Sequence, residues 1–203
     1  MARILVLGIG NILWADEGFG VRCAEAFAES FRVPPEVQVM DGGTQGLYLL
    51  PYVQEADCLI VFDAVDYGLA PGTMKIVEDA EVPRFMGVKK MSLHQTGFQE
   101  VIAAAELTGQ APRHLLLIGV QPVELDDFGG SLRPAVKDCI ARAVSIAAER
   151  IAVWGVHLVP AAGTAELNDG ALSLSAYESG RPSAEDACRI GDDRFLARRA
   201  GDA

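Results

Sequence analysis

Short apolar segments alternate along the chain with longer stretches in which apolar residues recur every three or four positions. Four of the short segments predict strands, at residues 4–9, 37–40, 58–62 and 115–120. In all but the second the apolar residues are continuous, which is typical of strands buried on both faces of a parallel sheet. A fifth segment, residues 73–77, follows Pro71 and Gly72 and predicts an edge strand that pairs antiparallel.

Helices are predicted between these strands. Residues 18–30 form an amphipathic pattern on the helically spaced positions Val21, Ala24, Phe27 and Ala28. Further helices are predicted at residues 47–53, 97–107 and 131–154, the last with Ser131 as its N-cap and Pro134 in its first turn. The predicted fold is a single three-layer α/β domain with a twisted, mostly parallel sheet, one antiparallel edge strand and helices on both faces. A ligand site in such a fold lies beyond the carboxyl ends of the strands.

The composition changes after about residue 160. Large apolar residues become scarce there, and Gly, Ala, Ser, Asp, Glu and Arg dominate. Such a segment has too little apolar surface to offset the entropy of ordering it. We therefore predict an α/β domain over residues 1–159 and a flexible C-terminal tail over residues 160–203.

Charge and cysteine usage narrow the possible partners. Acidic residues outnumber basic ones by 28 to 17, which gives a net charge of -11 and argues against nucleic-acid binding. The four cysteines lie far apart without a C-x-x-C pair, which argues against a zinc knuckle or a redox dithiol. No signal-peptide pattern is present, and no apolar stretch approaches the ~20 residues that span a bilayer. We expect a cytoplasmic monomer that does not insert into membranes.

The loop after the first strand begins like a dinucleotide-binding motif but does not continue as one. Gly8 and Gly10 give the G-x-G, yet Leu13 stands where the third glycine is expected. Asp16 and Glu17 lie at the start of the following helix, where they would repel a phosphate. They either complement the helix dipole or attract a cation.

Two further acids, Asp41 and Asp63, follow predicted strands and are expected to project into the same crevice as the first loop. Such a cluster stays ionised when a cation is nearby; otherwise one member takes up a proton. His94, in a polar loop before a helix, is either a surface residue or a ligand. Glu17, Asp63 and His94 together would form a mixed oxygen and nitrogen set with open positions, which suits nickel or zinc.

Serine and cysteine nucleophiles are poorly supported. The chain has no G-x-S-x-G motif, and Cys23 and Cys58 are predicted core residues within a helix and a strand. A metal centre, by contrast, can polarise a peptide carbonyl and acidify a bound water, both useful in amide hydrolysis.

Five motifs in this order resemble the nickel-iron hydrogenase maturation endopeptidases: Gly8-Ile9-Gly10-Asn11, Asp16-Glu17-Gly18-Phe19-Gly20, Asp41-Gly42-Gly43-Thr44, Asp63-Ala64-Val65-Asp66 and Ser92-Leu93-His94. The resemblance covers about the first 155 residues, and within this region residues 119–122 also resemble the family. It implies a divalent cation site, with nickel as the expected ion, formed by the catalytic residues Glu17, Asp63 and His94. It also implies that the loop of Asp41, Gly42, Gly43 and Thr44 recognises the substrate.

The activity that the resemblance implies is removal of the C-terminal extension of the immature nickel-iron hydrogenase large subunit after nickel insertion. The cation would then be supplied by the substrate or held by the protease itself. Three alternatives remain from the sequence: a non-catalytic nickel-sensing or chaperone module, a nucleotide-binding α/β enzyme, and a metal-independent protease on the same fold.

Overall fold

The computed structural model describes residues 2–82, 93–161 and 167–181, except for the side chains of residues 93–97. The strands of the main sheet are β1 (Ile4–Ile9), β3 (Val37–Gly43), β4 (Cys58–Ala64), β5 (Met74–Glu78) and β6 (His114–Val120). Their order is β3-β1-β4-β6-β5. All neighbours pair in parallel except β5, which is antiparallel to β6 at the edge. The predicted sheet, including its antiparallel edge strand, is confirmed.

Six α-helices are described: α1 (Phe19–Ser30), α2 (Leu50–Glu55), α3 (Leu93–Leu107), α4 (Pro134–Lys137), α5 (Ile140–Val153) and α6 (Leu174–Gly180). Short 3-10 helices occupy Ala15–Gly18, Gly46–Leu49 and Gly170–Leu172. Pro51 lies in the first turn of α2, where its missing N–H costs nothing. The long final helix predicted from residue 131 is wrong in two respects, since a turn divides it into α4 and α5 and its N-cap is Arg133 rather than Ser131.

Alternate residues of each strand face two separate hydrophobic cores. Ile4, Val6 and Ile60 pack with α1 and α5, whereas Leu5, Leu7 and Leu59 pack with α2 and α3. This alternation follows from the two-residue period of a strand. The sheet is therefore covered by helices on both faces, as predicted.

Two strands continue further than the apolar pattern indicates. β3 includes Asp41 and Gly43, because β1 continues to pair with it through a bulge that sets Ile9 opposite Gly43. β4 includes Asp63, which lies opposite Gly119 of β6. The two acidic residues thus belong to the paired ends of the strands rather than to free loops.

The chain beyond residue 158 contacts the domain in the parts that are described. β7 (Val159–Pro160) pairs antiparallel with the short strand β2 (Phe31–Arg32). Residues 167–181, called the C-terminal segment below, contain α6 and have no buried residue, but Lys137 Nζ and Ser131 Oγ donate to the Glu178 carboxylate at 2.8–2.9 Å. These contacts attach the segment to the domain, whereas residues 162–166 and 182–203 lie outside the described residues. The flexible tail over residues 160–203 stays a prediction. Within the described residues, no helix is long and apolar enough to cross a membrane.

Candidate functional site

The backbones of β1 and α1 lie in close contact at the carboxyl edge of the sheet. A Cβ atom on Gly8 would meet the carbonyl of Gly20, and one on Gly20 would meet the carbonyls of Ile9 and Phe62. Gly10 has a φ of +132°, and a Cβ atom there would meet the Glu17 carbonyl. The glycines of the G-x-G motif therefore leave room for the start of α1 and for the Glu17 backbone to lie against the strand ends.

The two neighbouring acids Asp16 and Glu17 have different surroundings. Asp16 is 0% exposed and its carboxylate accepts hydrogen bonds from the backbone N–H groups of Val123 (2.8 Å), Glu124 (2.9 Å) and Arg133 (2.7 Å). Its acceptor oxygens are thus committed to the loop between β6 and α4. Glu17 is only half-buried, on a 3-10 helix that contacts β4. Asp16 organises the backbone, and Glu17 remains the candidate ligand.

Asp63 is 3% exposed near the end of β4. It alternates with Leu59 and Val61, which face α2 and α3, so its side chain projects from that face of the sheet. It therefore combines a nearly inaccessible carboxyl group with a position at the edge where ligands bind in this class of fold.

Tyr67 is a residue of this site that the sequence reasoning missed. It is 5% exposed, and its hydroxyl occupies the space that a Cβ atom on Gly119 would fill, one strand away from Asp63. Burial, and then the nearby Asp63 carboxylate, raise the pKa of Tyr67 well above its usual value. The Lys75 ammonium lies 5.6 Å from the centre of the Tyr67 ring. A phenol that keeps its proton therefore lies close to Asp63, and an ammonium group lies over the ring of that phenol.

Gln121 holds the chain that follows Asp63. Its Oε1 accepts from the backbone N–H groups of Tyr67 (2.7 Å) and Leu69 (3.1 Å), and its Nε2 donates to Asp66 Oδ1 at 2.9 Å. Gln121 is itself buried. This side chain fixes Tyr67 relative to the ends of β4 and β6.

His94 is the second residue of α3, and its side chain lies outside the described residues. Later residues of α3, such as Phe98 and Val101, pack in the same core as Leu59 and Val61. α3 is 15 residues long, about 22 Å, and is followed by β6, which starts at the amino edge of the sheet. The first turn of α3 is therefore directed towards the carboxyl edge, on the face from which Asp63 projects.

Asp41 has a different environment from Asp63. It alternates with Val37 and Val39, which pack on the α1 and α5 face of the sheet. Contrary to the expectation from the sequence, Asp41 therefore does not share a crevice with Asp63. Its Oδ1 accepts from the Gly43 N–H at 2.8 Å and its Oδ2 from the Asn168 amide at 2.9 Å. Burial raises the pKa of Asp41, while the hydrogen bonds from Asn168 and Gly43 act in the opposite direction.

The predicted recognition loop, residues 41–44, is held by backbone contacts and is followed by exposed side chains. Gly43 has a φ of +46° and its carbonyl accepts from the Gly10 N–H at 3.0 Å, so this loop and the first loop are joined. Thr44 is exposed, and Tyr48 after it is 84% exposed. An aromatic side chain exposed to this extent beside a fixed loop is a common feature of peptide contact sites.

The structure favours neither a thiol nucleophile nor a metal cluster among the side chains it describes. Cys23 and Cys58 are buried, and burial raises the pKa of both thiols, which confirms them as core residues. In residues 2–82, 98–161 and 167–181, no three His, Cys, Asp or Glu side chains are grouped closely enough to hold a metal ion. The imidazole of His94 is not among these side chains.

Comparison with known proteins agrees with this geometry. A family model described as hydrogenase maturation protease matches residues 21–150. The chain is 58% identical to the hydrogenase expression/formation protein HupD of Rhodobacter capsulatus, over 96% of this chain and 93% of HupD. It is 42% identical to the hydrogenase 2 maturation protease of Escherichia coli K12, over 78% of this chain and 96% of that protein. The solved structure of the hydrogenase maturating endopeptidase HybD from E. coli matches with a TM-score of 0.74 and 41% identity, covering 78% of this chain and 97% of HybD. The chain therefore belongs to the hydrogenase maturation protease family.

Proposed function

We propose that this protease removes the C-terminal extension of a nickel-iron hydrogenase large subunit after nickel has been inserted, and that Glu17, Asp63 and His94 form its cation site. The observation that carries the proposal is the position of Asp63. It is a buried carboxyl group at the carboxyl edge, and its strand contacts the 3-10 helix of Glu17. It also projects from the face that holds α3, whose second residue is His94.

The donor set suits a divalent cation. Two carboxylates brought to one strand edge of a protein with a net charge of -11 repel each other, and a cation offsets that repulsion. Oxygen and imidazole ligands suit nickel or zinc, and three protein ligands leave positions open. A bound cation would polarise the scissile carbonyl and lower the pKa of a water molecule.

The protein's own side chains position the reacting groups. Tyr67, whose pKa is raised, keeps its proton at neutral pH and can donate a hydrogen bond next to Asp63. Gln121 prevents the Tyr67 backbone from moving away. The exclusion of water around Asp63 strengthens each of these electrostatic interactions.

Nickel is proposed to arrive with the substrate. A site with one imidazole and two carboxylates is a weaker trap than a closed thiolate site, so the free protease should hold metal poorly. The loop of Asp41, Gly42, Gly43 and Thr44 would contact the precursor while its nickel reaches Glu17, Asp63 and His94. Cleavage would then depend on nickel already held by the precursor.

The test is incubation of the purified protease with nickel-loaded and nickel-free large-subunit precursor, followed by intact-mass measurement. The proposal predicts loss of a C-terminal peptide from the nickel-loaded precursor alone. Binding without any mass loss would indicate a nickel-sensing or chaperone module instead. Full cleavage of the nickel-free precursor by a protease with one tightly bound zinc per chain would refute the supply of metal by the substrate.

A further inference from the structure

The C-terminal segment contacts the recognition loop directly through Asn168. One amide nitrogen of Asn168 donates to Asp41 Oδ2 at 2.9 Å and to Glu25 Oε1 at 3.0 Å. Asn168 thus joins two carboxylates that would otherwise repel each other, one on β3 and one on α1. The other oxygen of Asp41 accepts from the Gly43 N–H, so the contact extends into the backbone of the loop.

A buried arginine holds the same segment in place. Arg22 of α1 is 3% exposed, and its Nη1 atom donates to Glu25 Oε2 at 2.8 Å and to the Leu172 carbonyl at 2.5 Å. Its guanidinium also lies 5.7 Å from the centre of the Tyr177 ring. Because a buried charge is costly unless it is paired, these contacts favour a defined position for residues 168–177.

The far end of the segment is held independently of Asp41. The Tyr177 hydroxyl donates to the Gly130 carbonyl at 3.3 Å, and Lys137 pairs with Glu178 at 2.8 Å. The segment therefore runs from the recognition loop to the start of α4 and is attached at both ends.

Comparison with relatives separates this segment from the protease core. The family match ends at residue 150, before the segment begins. The alignment with HupD covers 96% of this chain. The residues that it leaves unaligned are fewer than the residues of the segment, so at least part of the segment is aligned with HupD. HybD has almost its whole length covered while a fifth of this chain remains unmatched.

We propose that Asn168 is a positioning residue for the recognition loop, and that the C-terminal segment determines how tightly this protease binds its own large-subunit precursor. Asn168 holds Asp41, Asp41 holds the Gly43 N–H, and the loop is presented to the precursor in one conformation. The proposal rests on the proposed role of the loop in binding a hydrogenase large subunit. It assigns to the segment an effect on KM and none on the bond-breaking step.

The test compares Asn168→Ala and Asn168→Asp with Ser175→Ala in the full-length protease. Ser175 is an exposed residue of the same segment whose hydroxyl contacts only Ser173 among the described residues. Asn168→Ala should raise KM for the nickel-loaded precursor about tenfold, the effect of losing a hydrogen bond to a charged group, with kcat within about twofold. Asn168→Asp should raise it further, since it adds a third carboxylate between Glu25 and Asp41. Ser175→Ala should match the wild type.

Amide hydrogen exchange provides a second measurement that requires no cleavage. The Gly43 amide should exchange at least about tenfold faster in Asn168→Ala and at the wild-type rate in Ser175→Ala, with unchanged exchange in β1 as evidence of folding. An unchanged KM together with unchanged Gly43 exchange would overturn the role of Asn168. Faster Gly43 exchange in a protein that cleaves no precursor would support the positioning role while the proposed function failed.

Discussion

Asp41 and Asp63 lie at the same edge of the sheet but project from opposite faces. β1 separates their strands, so about 10 Å lies between the two backbones. Asp41 faces α1 and the C-terminal segment, whereas Asp63 faces the core that contains α3. Two acids that appear equivalent in the sequence therefore serve separate parts of the protein.

This separation predicts that substitutions of the two acids affect different properties. Asp63→Ala should abolish the weak binding of Ni²⁺ to the free protease, because it removes a proposed ligand. Asp41→Ala should leave Ni²⁺ binding within about twofold of the wild type and raise KM for the precursor. Calorimetric titration with Ni²⁺ measures the first property and precursor cleavage the second. If Asp41→Ala abolished Ni²⁺ binding as completely as Asp63→Ala, Asp41 would have to be counted among the ligands.

Substitutions of Asp16 and Glu17 should also affect different properties: the first should lower the stability of the fold and the second the rate of cleavage. Asp16→Ala leaves three backbone N–H groups without their acceptor, which should lower the free energy of unfolding by about 3 kcal/mol or more. Glu17→Gln should leave unfolding nearly unchanged and reduce cleavage without abolishing it, since an amide oxygen still coordinates a metal but carries no charge. Urea unfolding of both variants, with cleavage measured in parallel, compares them. A larger stability loss in Glu17→Gln than in Asp16→Ala would reverse these assignments.

The apolar pattern of the sequence was sufficient to predict the sheet, because burial of each strand on both faces requires continuous apolar residues such as 58–62 and 115–120. The edge strand was also predictable, since a turn at Pro71 and Gly72 precedes a short segment. Polar contacts were not. Asp16 is separated by more than 100 residues from the N–H groups that donate hydrogen bonds to it, and no periodicity connects such positions.

The candidate site was predictable to the extent that strand ends converge at one edge. The face on which each acid lies could not be predicted. The apolar pattern ends just before Asp41 and Asp63, whereas the strands themselves continue through both residues. Tyr67 was missed because its contact with Gly119 depends on a glycine leaving room in the neighbouring strand. Asn168 was missed because its segment has a polar composition, which indicates few buried residues but gives no information on specific hydrogen bonds.

The contact between Tyr67 and Gly119 gives a prediction about packing beside Asp63. Gly119→Ala would place a methyl group where the Tyr67 hydroxyl lies, and should lower the free energy of unfolding by about 1–3 kcal/mol. Adding Tyr67→Phe should recover part of that loss, since it removes the oxygen nearest to the new methyl group. Gly180→Ala, where a Cβ atom meets nothing within 4 Å, is the matched control. Equal losses in the single and double variants would show that the hydroxyl is not the group that clashes.

The attachment of the C-terminal segment should depend on pH through Glu178. Hydrogen bonds from Lys137 and Ser131 hold the pKa of Glu178 below its usual value. A carboxyl group with a lowered pKa in the folded state stabilises that state above its ordinary pKa of about 4.3, and the stabilisation is lost as the pH falls through the folded value. Wild-type protein should therefore be more stable to urea than Glu178→Gln at pH 7, and the difference should shrink below about pH 4. A difference that stayed constant down to pH 3 would contradict a charged Glu178 as the anchor.

Cleavage of the precursor is proposed to require the cation site of Glu17, Asp63 and His94, and one measurement tests this requirement most directly. Nickel-loaded large-subunit precursor is incubated with wild-type protease, His94→Ala, Asp63→Ala and the control Ser175→Ala, each verified as folded by circular dichroism, and the precursor mass is followed over time. We predict loss of the C-terminal peptide with the wild type and Ser175→Ala, and no loss with His94→Ala or Asp63→Ala. Cleavage at the wild-type rate by folded His94→Ala and Asp63→Ala would contradict this requirement.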